Sequence, residues 1–493
     1  MGIEPSYIVA WLIPALVGGG IWIALRGVRA AGDMPAAIGA GWLIGIFVVA
    51  GLGSFAATED TTHTLTKTLP WFVATGAIAW VVAWARRRGL WIFSARTTAI
   101  ASEPRDGGVV RVLWWLLLIA IVVRLLLLGY EASLRPVFPW DAWSAWAVKP
   151  KTWFLVGRVE PYVSMQDWLS DPHAALRTGV AWSYPELLAW IELWFASAAG
   201  TWNEPLVDLA WCGALSAFAL AAYGYWRGVG LRPWVAIVLV YALVSLPLID
   251  AHVALAGYAD LWVAVAMGLA ALAWARWLID RDRGQWIVAV AIALCLPAIK
   301  LEGAVWLLAF SAAVVLDLVP RRWRWRVAAV IAACALIGVL LGGFVLPMLG
   351  LGLVHVSWGS VEVPVLGAFS LQWHSVGGAM IAGLFTLPNW HLLWYLFPIL
   401  ALLRWRRFRD DRVARLLGLL VLIDLSFLFV LFFFTSASAW AQDFTSANRL
   451  ILQIVPTVFV LIAVLLRGSG AAASATRAPR NTASGSDLQS AAS

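Results

Sequence analysis

Residues 112–151 read VLWWLLLIAIVVRLLLLGYEASLRPVFPWDAWSAWAVKPK. The first half is apolar and broken once by a charge, at Arg124, whereas the second half is rich in Pro, Trp and Lys. A helix rising about 1.5 Å per residue needs about 20 residues to cross a hydrocarbon core. Residues 111–130 meet that length, so the chain passes here from a membrane span into a polar loop. The same pattern repeats in both directions along the sequence. The expected spans are 7–25, 38–55, 69–84, 111–130, 206–226, 234–251, 261–277, 286–299, 303–319, 327–347, 389–403, 413–434 and 450–466, thirteen in all, several of them short. The predicted fold is an all-α polytopic membrane protein.

Composition agrees. Of 493 residues, 62% are apolar and only 13% charged, against roughly 25% charged in a soluble chain. Mean hydropathy is +0.84. So few charges cannot cover a water-facing surface, which excludes a soluble enzyme of this length. The net charge of +8 does not indicate nucleic acid, because the basic residues form short clusters between apolar runs. That is the orientation signal of a membrane protein. The start of the chain carries Glu4 and no basic residue before the first apolar run, with Arg26 and Arg29 after it. A secretory signal has the opposite polarity, so a retained helix is expected, N-terminus outside. Alternating from there places 26 of the 35 basic residues inside, eight outside and Arg124 within a helix. All four lysines fall outside and the C-terminus inside.

Residues 184–200 (YPELLAWIELWFASAAG) are nearly apolar enough to be a further span. Glu186 and Glu192 make that expensive, and counting it would invert every later loop. An amphipathic helix on the outer interface is expected instead. The tail 468–493 is small and polar, which predicts disorder. Cys212, Cys295 and Cys334 all lie in apolar runs, so they read as helix-packing residues and not a disulfide framework.

The long outer loop, 131–183, holds the unusual residues. Asp141 follows Pro139 and Trp140 directly after a span, with Lys149 and Lys151 eight and ten residues on. Trp140, Trp143 and Trp146 recur at a spacing of three, as an interfacial belt or as a platform for sugar rings or a lipid tail. Asp141 could cap the helix that follows or act chemically. Further along, GYAD (257–260) puts Tyr258 and Asp260 at the outer end of a span, and AIKLEG (298–303) places Lys300 and Glu302 in an otherwise apolar run. Such buried charges are functional-site candidates by default; a self-satisfied ion pair at a turn is the plainer alternative. Lys300 and Glu302 are two apart, so they share a cavity only if the chain unwinds there, which Gly303 eases. Asn448 and Arg449 open the last span, where Arg449 could also snorkel to lipid phosphates. The six histidines show no paired spacing that supports zinc. His252 reads first as a satisfied helix-end histidine, though it is close enough in sequence to line the same cavity as Asp260.

With these residues in view, the chain resembles the GT-C superfamily of polytopic glycosyltransferases, in particular bacterial members related to the protein mannosyltransferase and aminoarabinose transferase branch. WDAW at 140–143 looks like that family's essential first-loop Asp, and SYPELLAW at 183–190 like its proline-led interfacial helix. GYADLW at 257–262 is similar to its second acidic motif, Lys300-Leu301-Glu302-Gly303 to a Lys-x-Glu-Gly turn, and Asn448, Arg449 and Pro456 to its late Arg before Pro. The resemblance covers roughly 111–467 as the catalytic membrane module, with 131–205 as its outer loop and 1–110 as extra N-terminal helices and a cytoplasmic loop. Three features depart from the family, the first being the three expected spans that precede the module. No large soluble domain follows the spans, and the second motif lacks the Asn-Glu of oligosaccharyltransferases.

The resemblance implies a bacterial inner-membrane enzyme. It would move a sugar from a polyprenyl-phosphate donor to a hydroxyl of a glycan, lipid or protein acceptor on the outer face, with inversion. Asp141 would be the base, and Lys300 and Arg449 would hold the donor phosphate, with Lys149 or Lys151 in reserve. Glu302 would orient Lys300. Asp260 would bind acceptor hydroxyls or hold a magnesium or manganese ion. Membrane lipids are implied as partners and nucleic acid is not. The alternative from another class is a lipid-linked sugar flippase or solute transporter, which also uses intramembrane charges and interrupted helices.

Overall fold

A computed structural model describes residues 4–28, 32–88, 107–171, 175–348, 352–357, 359–363 and 367–468. The predicted disordered tail beyond 468, residues 89–106 of the basic loop, Arg29 and His173 lie outside them.

The chain is mostly helical. Three N-terminal helices, α1 (Pro5–Arg26), α2 (Asp33–Ala56) and α3 (Thr64–Arg87), precede α4 (Gly108–Ser133). A long connection then carries α5 (Val148–Val156), α6 (Met165–Ser170) and α7 (Leu187–Ala199) before α8 (Glu204–Gly228). Helices α9 (Pro233–Val244) and α10 (Pro247–Ala254) are bent by 60° at their junction. Next come α11 (Asp260–Asp280), α12 (Arg283–Ile299), α13 (Gly303–Leu318) and α14 (Arg321–Leu340). After an antiparallel sheet, α15 (Gly377–Ile381), α16 (Leu393–Leu403), α17 (Trp405–Asp410), α18 (Arg412–Phe434), α19 (Ser438–Gln442) and α20 (Ala447–Leu466) complete the chain.

Eight of these helices are long and apolar enough to cross a membrane (α1, α2, α3, α4, α8, α11, α18, α20), or nine if the bent α9–α10 pair is one span. The protein is an integral membrane protein by that measure. The expected thirteen spans are not all met by that measure among the described residues, for physical reasons visible at each segment. Residues 234–251 break at Ser245–Leu246, where Pro247 cannot continue the α9 ladder. Helices α12 and α13 are 17 and 16 residues long. Segment 389–403 holds only the 11-residue α16. Segment 327–347 leaves its helix at Leu340 and ends in a strand.

That strand belongs to one small sheet, an addition to a chain that is otherwise helical as expected. Four strands, β1 (Phe344–Met348), β2 (Gly352–Ser357), β3 (Ser360–Val363) and β4 (Gly367–Ser370), pair antiparallel in sequence order. His355 lies opposite Glu362, and Val356 opposite Val361. Alternation puts Leu353, His355 and Ser357 on one face and Val354 and Val356 on the other, and Val354 is buried.

A correction concerns α7. It does not lie on an interface, because Leu188 to Ala196 are all buried, Glu192 included. It packs among α1, α2, α3, α5 and α8.

Lipid is as apolar as leucine, so helix association rests on close packing and polar contacts. Glycines supply the closeness. A Cβ on Gly18 would stand 1.9 Å from Gly41 O, and one on Gly45 2.0 Å from Pro14 O, so α1 and α2 touch backbone to backbone. Gly39 and Gly224 do the same for α2 and α8. One hydrophobic core therefore runs from the N-terminal helices through α8 and α11 to α20. Helices α1, α2 and α3 are built into the bundle. Polar contacts join the same parts at one end, where Arg26 reaches Asp282 at 2.7 Å, Asp280 at 3.4 Å and Asp33 at 3.4 Å.

Candidate functional site

At the opposite end of the bundle, four sequence-distant elements bring their charges together. Helix α11 begins with Asp260, whose side chain is fully buried. Lys300 Nζ donates to Asp260 Oδ1 at 2.9 Å. Arg449, in the first turn of α20, donates to Asp260 Oδ2 from Nε at 3.0 Å and Nη2 at 2.8 Å. Its remaining Nη1 donates to Asp141 Oδ2 at 2.5 Å. Glu302 Oε1 lies 3.1 Å from Lys300 Nζ. The result is an unbroken ionic chain, Asp141–Arg449–Asp260–Lys300–Glu302.

The backbone explains why each charge arrives there. Helix α12 stops at Lys300, whose φ of −154° and ψ of 150° are extended, and α13 starts at Gly303 after a short turn. That unwinding lets Lys300 and Glu302 face each other. A Cβ on Gly303 would stand 2.0 Å from Leu296 O, so only glycine permits the hairpin to close so tightly. Asp141 sits at the head of a single π-helical turn, Ala142–Trp146, whose first two N–H groups donate to Pro139 O at 3.0 and 3.2 Å. Asp141 makes no capping bond to that turn, because its carboxylate is turned to Arg449. Gly257, with φ of 106°, docks the turn against α11. A Cβ there would meet Ala142 Cβ at 2.4 Å.

Two residues that sequence reasoning passed over complete the centre. Gln453 Nε2 donates to Asp260 Oδ1 at 2.6 Å, while its Oε1 accepts from Trp306 Nε1 at 2.5 Å. Gln453 lies one turn beyond Arg449, and an i, i+4 polar pair in an apolar span was the signal available. Tyr184 is the other. Its ring packs 4.9 Å from Trp146 and against Leu301 and Ala304, and its phenol feels the charges of Glu302, Lys300, Asp141 and Arg449. Burial pushes that phenol above its ordinary value. Val363 of the sheet packs on the same two residues, which seats β3 over the Lys300–Glu302 turn.

The other expected residues divide. Tyr258 belongs to the centre, with the Arg449 guanidinium 4.4 Å from its ring centroid. Trp140 and Trp143 are exposed and stack edge to face at 4.6 Å, a usable apolar platform beside Asp141. Trp146 is not part of that platform but is buried behind it, because the π turn advances about 4.4 residues per revolution and rotates it inward. Lys149 is also buried; its Nζ donates to Tyr184 O at 2.7 Å, and burial lowers its pKa. Lys151 pairs with Glu204 at 2.7 Å, and Glu204 also accepts from Val137 N at 3.1 Å. Both lysines brace the loop and neither touches the ionic chain. His252 Nδ1 is 2.8 Å from Leu248 O and its ring 5.1 Å from Tyr258, so it stands behind the centre. Asn448 is buried next to Arg449.

Asp260 does not fit a divalent cation. Its two oxygens accept four hydrogen bonds from a lysine, an arginine and a glutamine, and two adjacent cations repel a third. Among the described residues no cluster of His, Cys, Asp and Glu is arranged to hold a metal ion. No family model, curated protein or solved structure matches the chain, so the chemistry is argued from this geometry.

Proposed function

We propose that the protein is a membrane glycosyltransferase that moves a sugar from a polyprenyl-phosphate donor to an acceptor hydroxyl. The observation that carries this reading is the ionic chain, which sets one part-exposed carboxylate beside two cations held by a buried one. A transferase of this kind needs a base for the acceptor proton and positive charge for the departing phosphate. Asp141, with 39% of its side chain exposed, supplies the first. Arg449 and Lys300 supply the second, with Asp260 fixing both. In the transfer step the acceptor oxygen bonds to the anomeric carbon from the face opposite the phosphate. The carbon–oxygen bond to phosphate breaks and leaves its electron pair there, and the acceptor proton passes to Asp141. Inversion follows from that single displacement. Trp140 and Trp143 offer rings for sugar faces beside the base. Hydrocarbon has room in an apolar groove of 580 Å³ between α9, α16 and α20, lined by Leu239, Trp390, Leu396 and Phe459 among others.

On this reading the Asp141 end faces outward in a bacterial inner membrane, with α17 and its arginines inside. A second reading, a flippase or transporter, draws on the 60° break between α9 and α10, since transporters use broken helices. The experiment that separates them is a transfer assay on purified protein with a polyprenyl-phosphate sugar. Release of polyprenyl phosphate together with a glycosylated acceptor is expected, and Asp141→Asn should lower that rate about 100- to 10,000-fold. Vesicle uptake or lipid translocation with no bond cleavage would reject the transferase reading.

A further inference from the structure

Arg449 spends its nitrogens unequally. Nε and Nη2 are committed to Asp260, while Nη1 alone reaches Asp141. Asp260 is fully buried and its other oxygen is taken by Lys300 and Gln453, so it has neither a spare bond nor a way out. Asp141 is in the opposite condition. Its side chain is part-exposed, it caps nothing, and Arg449 is its one side-chain partner among the described residues. Arg449 itself is pinned by Asp260 and by the Tyr258 ring. The charge count adds a constraint. Three carboxylates (Asp141, Asp260, Glu302) face two cations (Lys300, Arg449), so the resting cluster is formally negative by one. An anionic phosphate entering it meets a surplus carboxylate; Asp141 and Glu302 are both part-exposed, and Asp141, the more exposed at 39% against 32%, is the one whose departure frees a nitrogen of Arg449.

We infer that the Asp141–Arg449 pair is a latch opened by the phosphate of the donor. A phosphate oxygen takes Nη1 of Arg449, and Asp141 is released on its exposed side as a carboxylate without a counter-charge. This deepens the transferase reading and rests on it. While the pair is closed, Asp141 Oδ2 is occupied by Arg449 Nη1, so that oxygen can receive the acceptor hydroxyl only after the donor is in place. The order is therefore donor first, acceptor second. The exchange breaks no covalent bond and moves no proton; the one proton transfer, from acceptor to Asp141, belongs to the later step.

The test is the affinity of purified full-length protein in detergent for a short-chain isoprenyl monophosphate, measured for wild type and for Asp141→Asn. Removing the competing charge should tighten binding about tenfold, the scale of one charge-assisted hydrogen bond, although the same variant is inactive in transfer. Inorganic phosphate should show the same gain, because the latch reads the headgroup. Equal or weaker binding by Asp141→Asn, or a gain that requires the isoprenyl chain, overturns the latch. The donor reading survives that result as long as wild type binds the isoprenyl phosphate more tightly than the matching alcohol. If wild type does not distinguish phosphate from alcohol, both fall. Should Asp141→Asn fail to fold, a structure of wild type with isoprenyl phosphate decides instead. Asp141 and Arg449 farther apart than about 4 Å, the limit for an ion pair, support the latch, and a bound phosphate beside an intact pair overturns it.

Discussion

Arg449 cannot be replaced by lysine. Its planar fork serves two carboxylates on two elements at once, with three nitrogens at 2.5–3.0 Å, whereas an ammonium is a point charge on a flexible stem. Arg449→Lys should therefore lose transfer about as fully as Arg449→Ala, measured as turnover of the polyprenyl-phosphate sugar; near wild-type turnover would show that charge alone suffices. Gln453 acts on stability. Gln453→Leu leaves Trp306 Nε1 without its acceptor and Asp260 with one donor fewer, which should cost about 2 kcal/mol in denaturant unfolding in detergent. Lys149 gives a pH signature. Burial holds its ammonium below the ordinary lysine value of 10.5, so the folded state carries a cost wherever the unfolded chain is still protonated. That cost is full at neutral pH and fades as pH rises toward 10.5. The stability difference between wild type and Lys149→Met should accordingly change in favour of wild type over that rise.

At the scale of elements, the break between α9 and α10 is fastened from a neighbouring span. Arg124, the single charge in its apolar run, donates to Val244 O at 3.1 Å and Ser245 O at 3.2 Å and pairs with Asp250. It thus satisfies carbonyls that the break leaves without helical partners and sets the course of α10 toward Tyr258 and Asp260. Arg124→Met strands Asp250 and should destabilise the protein by about 3 kcal/mol; adding Asp250→Asn should recover part of the loss. Equal stability of single and double variants would mean the pair is not coupled. The π turn after Pro139 depends on Gly257 in the same way. Gly257→Val must either abandon a φ of 106° or displace Ala142. Loss of transfer with an unchanged helical circular-dichroism signal is the expected result.

For the whole molecule, the proposed orientation can be read by labelling. Ser164 caps α6 near the Asp141 end and is half-buried, and Asp410 ends α17 at the other and is exposed. Cysteines at the two positions should react from opposite sides of intact cells, Ser164→Cys from outside; labelling of both from outside would reject the topology. Much of the candidate centre was legible because charge is rare here, and Asp141, Asp260, Lys300, Glu302 and Arg449 each interrupt an apolar run. Gln453 and Tyr184 carry no charge and were lost among ordinary helix and loop residues. The sheet was illegible for another reason, since FVLPM (344–348) continues the apolar run of α14 and only pairing with β2 shows it as a strand. Helix α7 misled through Glu186 just before it and Glu192 within it, which argued for water although Glu192 is buried among spans. The span count is left unmatched where length and apolarity diverge, as in the 11-residue α16.

The contact between Arg26 and Asp282 joins residues 256 apart in sequence. At about 5–20 residues per second of synthesis, roughly ten to fifty seconds separate the emergence of the arginine from that of its partner. Asp280 arrives only just before Asp282, and until then Asp33 is the only carboxylate of the cluster that has been made. The first three helices therefore begin life in the bilayer with a half-neutralised guanidinium at their end, held by water and lipid phosphates. They are released from that temporary arrangement when α11 and α12 arrive, so the last step of assembly at this end waits on the ribosome's progress through the middle of the message.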